Sequence, residues 1–336
     1  AYYPIAHEGG GNMDENKIVK YIKSICDDES IEKVFHNAQY DIGWLWTLGI
    51  EVKGRIHDTM VAAALIDENR YSYTLNSIVL NLCLPTPITK IESNFLYKKQ
   101  VEIFIKRDDL IHSIISGNKW RKLKYNLQLA KQKKYSTVLS FGGSYSNHLH
   151  ALSYVSNKMG FKSIGVVRGH NNNHLSHTLK FCKQNNMLLH NLDRKNYRLH
   201  KSSNLILQSL ENIFGKFYVI PEGGNNQLGV KGCSEILNEV NLEFNYLCCP
   251  VGTGCTASGL ISSMFQHQSF IGFCPFKKCV EQKTSINNFV NPLLNKNWIL
   301  LPDNHFGGFA KINHNLIKFV QQFNSDFDIK LDLIYM

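Results

Sequence analysis

Two hydrophobic patterns alternate along most of this chain: apolar positions three and four residues apart, and short unbroken apolar runs. In the first eighty residues the pattern predicts a strand over Tyr2–Ile5, a break at Gly9-Gly10-Gly11-Asn12 and a helix over Asn16–Ser24. A short apolar strand over Val34–His36 follows, then a Trp-rich helix over Ile42–Leu48 and an amphipathic helix over Asp58–Ile66. Pro85 and Pro87 interrupt the pattern within Leu82–Pro87, which places a domain boundary there. Beyond residue 100 the predicted strands are Val101–Lys106, Thr137–Phe141, Ser163–Val167, Phe217–Ile220, Tyr246–Val251 and Phe270–Phe273. The predicted helices are Lys119–Lys131, Ser146–Lys158, Leu175–Gln184, Gly229–Val240, Thr256–Phe265 and Leu316–Phe323. Such alternation implies parallel strands with crossover helices, a layered α/β fold whose ligands bind at the carboxyl ends of strands.

Composition agrees with folded cores: of 336 residues, 43% are hydrophobic and 19% charged, which excludes a disordered chain or a single small module. Charge is uneven. Residues 1–83 carry seven Lys and Arg against twelve Asp and Glu, a net −5, whereas residues 84–336 carry thirty against fifteen, a net +15. The basic residues of the second part are scattered along predicted helix surfaces, the pattern of a solvated surface rather than a nucleic-acid footprint. Nine cysteines form no C-x-x-C pair and no Cys/His quartet, so neither zinc nor a disulfide framework is expected. No apolar run has the length a bilayer needs, and Ala1-Tyr2-Tyr3-Pro4 does not resemble a signal peptide. The expectation is a soluble, cytoplasmic protein that contacts no membrane, with a start that lies upstream of Ala1.

Three turns carry candidate chemistry. In Ser116-Gly117-Asn118-Lys119-Trp120-Arg121-Lys122-Leu123, a lysine opens a helix just after a Gly-Asn turn. The helix dipole and the flanking cations Arg121 and Lys122 would lower its amine pKa and make it a nucleophile toward a carbonyl; a solvated lysine is the plain alternative. Phe141-Gly142-Gly143-Ser144-Tyr145-Ser146-Asn147-His148 would present Ser146 and Asn147 at a helix start, either as an anion seat or as a simple cap. Cys249-Pro250-Val251-Gly252-Thr253-Gly254-Cys255-Thr256 is a glycine turn entering an apolar helix, either a phosphate cradle or a turn that needs glycine only for its backbone angles. No Lys follows the glycines as in a P-loop, and Cys274-Pro275-Phe276-Lys277 supplies no acidic residue for a ribose, so NAD is disfavoured. An amine nucleophile, an anion seat and a phosphate cradle together call for a cofactor with an aldehyde and a phosphate, which is pyridoxal 5′-phosphate.

Residues 84–336 resemble the 1-aminocyclopropane-1-carboxylate deaminase and D-cysteine desulfhydrase family. The resemblance rests on Leu84-Pro85-Thr86-Pro87-Ile88, Phe104–Leu110, Ser116–Leu123, Ser144–Ala151, Ile220-Pro221-Glu222-Gly223-Gly224 and Val251–Gly259. It implies the tryptophan synthase β-like fold (fold type II), a two-lobed three-layer α/β/α architecture with its smaller lobe at roughly residues 131–214. It also implies a homodimer and a small amino-acid substrate. By resemblance Lys119 is the Schiff-base lysine and the acid/base, Asn147 bonds the cofactor's phenolic oxygen and Ser146 holds the substrate carboxylate. Gly252, Thr253, Gly254, Cys255 and Thr256 hold the phosphate, and Tyr335 in Leu331-Asp332-Leu333-Ile334-Tyr335 assists proton transfer. Phe306 stands where the family has a tyrosine, and the chain ends at Met336, where the family places the residue facing the pyridine nitrogen. The choice between ring-opening deamination and β-elimination stays open, and cofactor binding with little turnover is expected.

The first eighty residues resemble part of the 3′–5′ exonuclease domain of family A DNA polymerases, a ribonuclease H-like fold. Ala1–Glu8, Asn37-Ala38-Gln39-Tyr40-Asp41, Gly49–Gly54 and His57-Asp58-Thr59-Met60 carry this resemblance. It makes Asp41 a vestigial metal ligand, alone where such a site needs several carboxylates. The net charge of −5 argues against nucleic-acid binding by this part. The leading expectation is therefore a pyridoxal-phosphate-dependent deaminase or lyase behind an incomplete exonuclease fragment. The alternatives are a nuclease acting through residues 1–83 and a non-functional fusion of two gene fragments.

Overall fold

The computed structural model describes residues 14–35, 37–66, 86–115, 117–169, 175–200, 203–294, 296–303 and 311–332. The chain divides into two units, Ala1–Cys83 and Leu84–Met336. Tyr2–Ile5, the glycine loop after it, Phe306 and Tyr335 lie outside the described residues.

In the first unit Asp14 caps helix α1 (Glu15–Asp27) by accepting from the Lys17 N–H at 3.1 Å, and Ile18 and Cys26 are its buried positions. Strand β1 (Lys33–Phe35) pairs in parallel with β2 (Ile56–Asp58), while α2 (Ala38–Thr47) and α3 (Thr59–Ile66) carry the remaining helical turns. The helix expected from Asp58 starts one residue later because Asp58 acts as a cap. Its carboxylate accepts from the backbone N–H groups of Asn37, Ala38, Met60 and Val61 at 2.7–3.3 Å, tying β2 to the starts of both helices. Burial works against ionisation of this carboxyl, yet the four donors hold it below the usual carboxylate range.

The second unit begins with an antiparallel pair, β3 (Ile88–Ile91) and β4 (Ile103–Lys106), joined through the short helix α4 (Asn94–Lys98). This pair departs from the all-parallel expectation, and β4 starts later than the hydrophobic run suggests. Helix α5 (Asn118–Gln132) then leads to a four-stranded parallel sheet of order β7-β6-β5-β8. Its strands are β5 (Thr137–Gly142), β6 (Lys162–Arg168), β7 (Met187–Leu192) and β8 (Tyr218–Ile220). Helices α6 (Asn147–Lys158), α7 (His177–Gln184), α8 (Arg194–His200) and α9 (Asn204–Phe214) alternate with them. Every residue of β5 is buried, as a central parallel strand requires, and Leu139, Phe141, Ile164, Val166, Tyr197 and Leu210 form the core.

Helix α10 (Gln227–Ser234) enters a second parallel sheet of order β11-β10-β9, with β9 (Tyr246–Pro250), α11 (Cys255–Ser263), β10 (Ser269–Phe273), α12 (Val280–Phe289) and β11 (Asn297–Leu301). Helix α13 (His314–Phe327) follows. Val251, Ala257, Ile261, Phe270 and Ile286 belong to this sheet's core. The single helix expected over Gly229–Val240 is in fact α10 followed by a tighter 3₁₀ segment, Glu235–Glu239. That segment turns Glu235 toward Lys124 at 2.5 Å and Glu239 toward Arg121 at 2.7 Å.

Candidate active site

Gly117 adopts φ 65°, a conformation open to glycine, and turns the chain into α5, where Asn118 and Lys119 are the first two residues. The Asn118 side-chain amide donates to the Thr256 hydroxyl at 2.8 Å, joining the start of α5 to the start of α11. Lys119 is enclosed by protein while part of its surface stays accessible. Desolvation, aided by the positive charge of Lys122, lowers its pKa to about 7, against weaker opposing pulls from Cys233, Cys255 and Asp332. Near neutral pH a substantial fraction of this amine is uncharged and nucleophilic.

Arg121 plays a different part from the one its sequence position suggests. Its fully buried guanidinium donates to Asp108 at 2.8 and 2.9 Å and to Glu239 at 2.7 and 2.9 Å. Lys106 adds a bond to Glu239 at 2.7 Å. Arg121 thus spends its charge in a network that fixes α5, and the cation that acts on Lys119 is the buried Lys122.

The candidate cradle lies where β9 ends. Gly254, at φ 91°, stands before α11 with no side-chain cap, so the helix presents its first-turn N–H groups and positive dipole end. Among the described residues the buried Thr253 hydroxyl has no hydrogen-bond partner. A buried donor left open at a helix N-terminus fits an incoming phosphate oxygen. The Thr256 hydroxyl accepts from Asn118 and the Cys255 thiol donates to the Gly224 carbonyl at 3.3 Å, so these two face the protein with their side chains. Gly223, at φ 68°, lies against Thr253, where a Cβ would come within 3.0 Å of the threonine methyl.

Glycines also let the helices close. A Cβ on Gly232 would sit 1.9 Å from the Arg121 carbonyl oxygen, and one on Gly259 would sit 2.5 Å from the Cys233 Cβ. Helix α10 therefore packs backbone-close against both α5 and α11, the two helices whose starts carry Lys119 and the cradle.

Ser146 is the N-cap of α6, and its hydroxyl accepts from the Leu149 N–H at 3.2 Å. Its own hydrogen remains a donor in chemical terms. The Asn147 amide donates to Asp332 at 3.0 Å, which uses one of its two N–H groups. Asp332 lies in the segment Leu331–Tyr335, where the resemblance gives a role to Tyr335 alone; the structure brings Asp332 to Asn147 and into the field of Lys119. Gln282 was missed altogether, because α12 has only weak amphipathic spacing and was not foreseen. It donates to the Gly252 carbonyl at 3.1 Å.

In the first unit Asp41 lies in the first turn of α2. Among the described residues no group of three His, Cys, Asp or Glu is placed to hold a metal ion, and no helix is long and apolar enough to cross a membrane.

A protein of Thermotoga maritima named "Putative 1-aminocyclopropane-1-carboxylate deaminase" is 34% identical over 200 residues, 56% of this chain and 62% of that protein. The mitochondrial bifunctional D-cysteine desulfhydrase/1-aminocyclopropane-1-carboxylate deaminase of Arabidopsis thaliana is 32% identical over 171 residues, 48% of this chain and 42% of its own length. The match thus spans less than two thirds of either relative. The crystal structure of an ACC deaminase homologue superposes with a TM-score of 0.64 at 24% identity, covering 76% of this chain and 82% of that one, which shows the fold type II architecture. A 3′-5′ exonuclease family matches residues 2–107. Residues 79–271, which hold the Lys119 turn, the Ser146 loop and the Thr253 cradle, match the family described as pyridoxal-phosphate dependent enzyme, and the chain belongs to that family.

Proposed function

We propose that this protein is a deaminase or β-eliminating lyase acting on a small amino acid, with Lys119 as the residue that holds the cofactor and then moves the proton at the substrate carbon. The bond from Asn118 to Thr256 carries the reading, because it sets an amine of pKa about 7 beside a helix start with an open buried hydroxyl. Pyridoxal phosphate, when bound, supplies the electron sink for negative charge developing at the substrate carbon. Lys119 is held at the first turn of α5, so its amine is presented from a fixed backbone. The Thr253 hydroxyl, with the N–H groups of residues 253–256, receives the phosphate oxygens. Ser146 and the start of α6 offer hydroxyl and N–H donors to a substrate carboxylate. The spare N–H of Asn147 serves the phenolic oxygen while Asp332 holds the amide plane. Tyr335 is read as a further proton-transfer residue, from the resemblance of its segment alone.

The names of the two relatives supply the substrate candidates, D-cysteine and 1-aminocyclopropane-1-carboxylate. The test uses the full chain with added cofactor, borohydride reduction and peptide mass mapping, expecting the phosphopyridoxyl mass on Lys119. Sulfide with pyruvate from D-cysteine would mark β-elimination, and 2-oxobutanoate from the cyclopropane substrate would mark ring-opening deamination. A label on another lysine, or none, would overturn the assignment.

A further inference from the structure

The loop that carries Thr253 is braced from one side by α12. Gln282, with only 8% of its surface exposed, donates its side-chain amide to the Gly252 carbonyl at 3.1 Å. One turn later the Ser285 hydroxyl bonds with Asn225 at 3.2 Å, and Ser285 closes on Gly254 so tightly that a Cβ there would lie 3.2 Å from both its Cβ and its Oγ. The two glycines flanking Thr253 are thus held by the same helix face, at residues 282 and 285.

This brace has a directional consequence. Among the described residues no peptide bond is cis, and in a planar trans peptide the C=O and the following N–H point in opposite directions. With the Gly252 carbonyl drawn toward Gln282, the Thr253 N–H faces away from α12. The open Thr253 hydroxyl belongs to the same residue. We propose that Gln282 is a positioning residue for the cofactor phosphate: its bond to the Gly252 carbonyl aims the Thr253 N–H into the phosphate seat. This rests on the reading that residues 252–256 form that seat. It requires the carboxamide specifically, because a donor must meet a carbonyl oxygen, and glutamate of the same shape would set one acceptor against another.

Uptake of pyridoxal 5′-phosphate and of pyridoxal, which has the aldehyde but no phosphate, separates this role from general support. Both are titrated into the full-length wild type, Gln282→Glu and Gln282→Met, following the absorbance of the protein-bound aldehyde. The wild type should bind the phosphorylated form far more tightly. In both variants that affinity should fall about tenfold or more, the effect of losing one directed donor, while pyridoxal affinity stays within about twofold. Should Gln282→Glu fail to fold, Gln282→Met keeps length and apolar packing and carries the same comparison. Variants that retain the wild-type preference for the phosphorylated form overturn the proposal alone, as do variants that lose both ligands equally. A wild type with no preference for the phosphorylated form overturns the cradle reading and this proposal with it.

Discussion

Asn118 and Thr256, 138 positions apart in sequence, are joined by a 2.8 Å bond from the side-chain amide to the hydroxyl oxygen. The bond is partly buried and spans two helix starts, so each of two distant segments helps to set the other's first turn. Thr256→Val, close in shape, would leave the Asn118 amide without its acceptor and should cost about 1–3 kcal/mol of stability. Asn118→Ala removes the donor instead and should cost less, about 1 kcal/mol. In both, cofactor affinity should fall more than Tm, as read by cofactor titration beside thermal melting; a fall in Tm alone would show that the bond serves only stability.

The pKa of Lys119 predicts a pH profile. The amine is the reactive form, so the rate of cofactor uptake should rise through a midpoint near pH 7 and level off above it, where a solvated lysine would keep rising toward its ordinary value of 10.5. The sign for stability follows from the same shift. Between about 7 and 10.5 the unfolded chain holds a proton that the folded chain has lost, so this group makes stability rise with pH across that window. Below it, folding confines a charge in a poorly solvated place. Lys119→Met should therefore raise the Tm of the cofactor-free protein more at about pH 6 than at about pH 10.

The three turns with glycine and a chemical side chain were legible in the sequence because their conformations demand particular residues, as Gly117 and Gly254 do. The central strands were legible too, since a strand buried on both faces is a mostly apolar run, as Val138, Leu139 and Phe141 make β5, with Ser140 the one polar residue among them. Strand β7 was not, because its His190 and Asn191 break that run and its place is set by pairing with β6. Arg121 and Lys122 read alike as cations flanking Lys119, and their burial was not legible because it depends on partners far along the chain: Asp108 and Glu239 for the first, the Gly224 turn for the second. Gln282 left no local trace, since its role appears only when α12 meets the cradle.

The Arg121 network should behave as a closed electrostatic unit. Arg121→Met removes the guanidinium and leaves Asp108 and Glu239 in a mostly buried place with Lys106 as their remaining cation, a loss of about 3–5 kcal/mol. Burial alone would raise the Glu239 carboxyl, but hydrogen bonds from Arg121 and Lys106 outweigh it and hold the group below its ordinary range. Its contribution is present above the unfolded carboxylate pKa and lost as pH falls through the folded value. In the variant, acid unfolding should begin at higher pH, and hydrogen exchange in α5 should quicken before that in β5.

Among the described glycines, Gly232 leaves the least room for a side chain and gives the sharpest stability test. At Gly232 an added methyl would lie 1.9 Å from the Arg121 carbonyl oxygen and 2.8 Å from its carbonyl carbon, distances no Cβ contact reaches, and neither atom can swing aside because both are helix backbone. Gly232→Ala gains helix propensity, about 1 kcal/mol in an exposed helix, but must part α10 from α5 to fit. Overpacking of this kind costs about 1–3 kcal/mol, and more where backbone has to move, so the net effect is destabilising. Because α5 carries Lys119 and α10 also closes on α11 through Gly259, the displacement should widen the gap between amine and cradle. Denaturant titration should show a lower midpoint, and cofactor affinity should fall even in the fraction that remains folded. Gly160→Ala is the control: it lies in a turn with φ 77° and nothing within 4 Å of an added Cβ, so it should incur backbone strain and leave cofactor affinity unchanged. Equal behaviour of the two variants would show that the α5–α10 approach does not set the site.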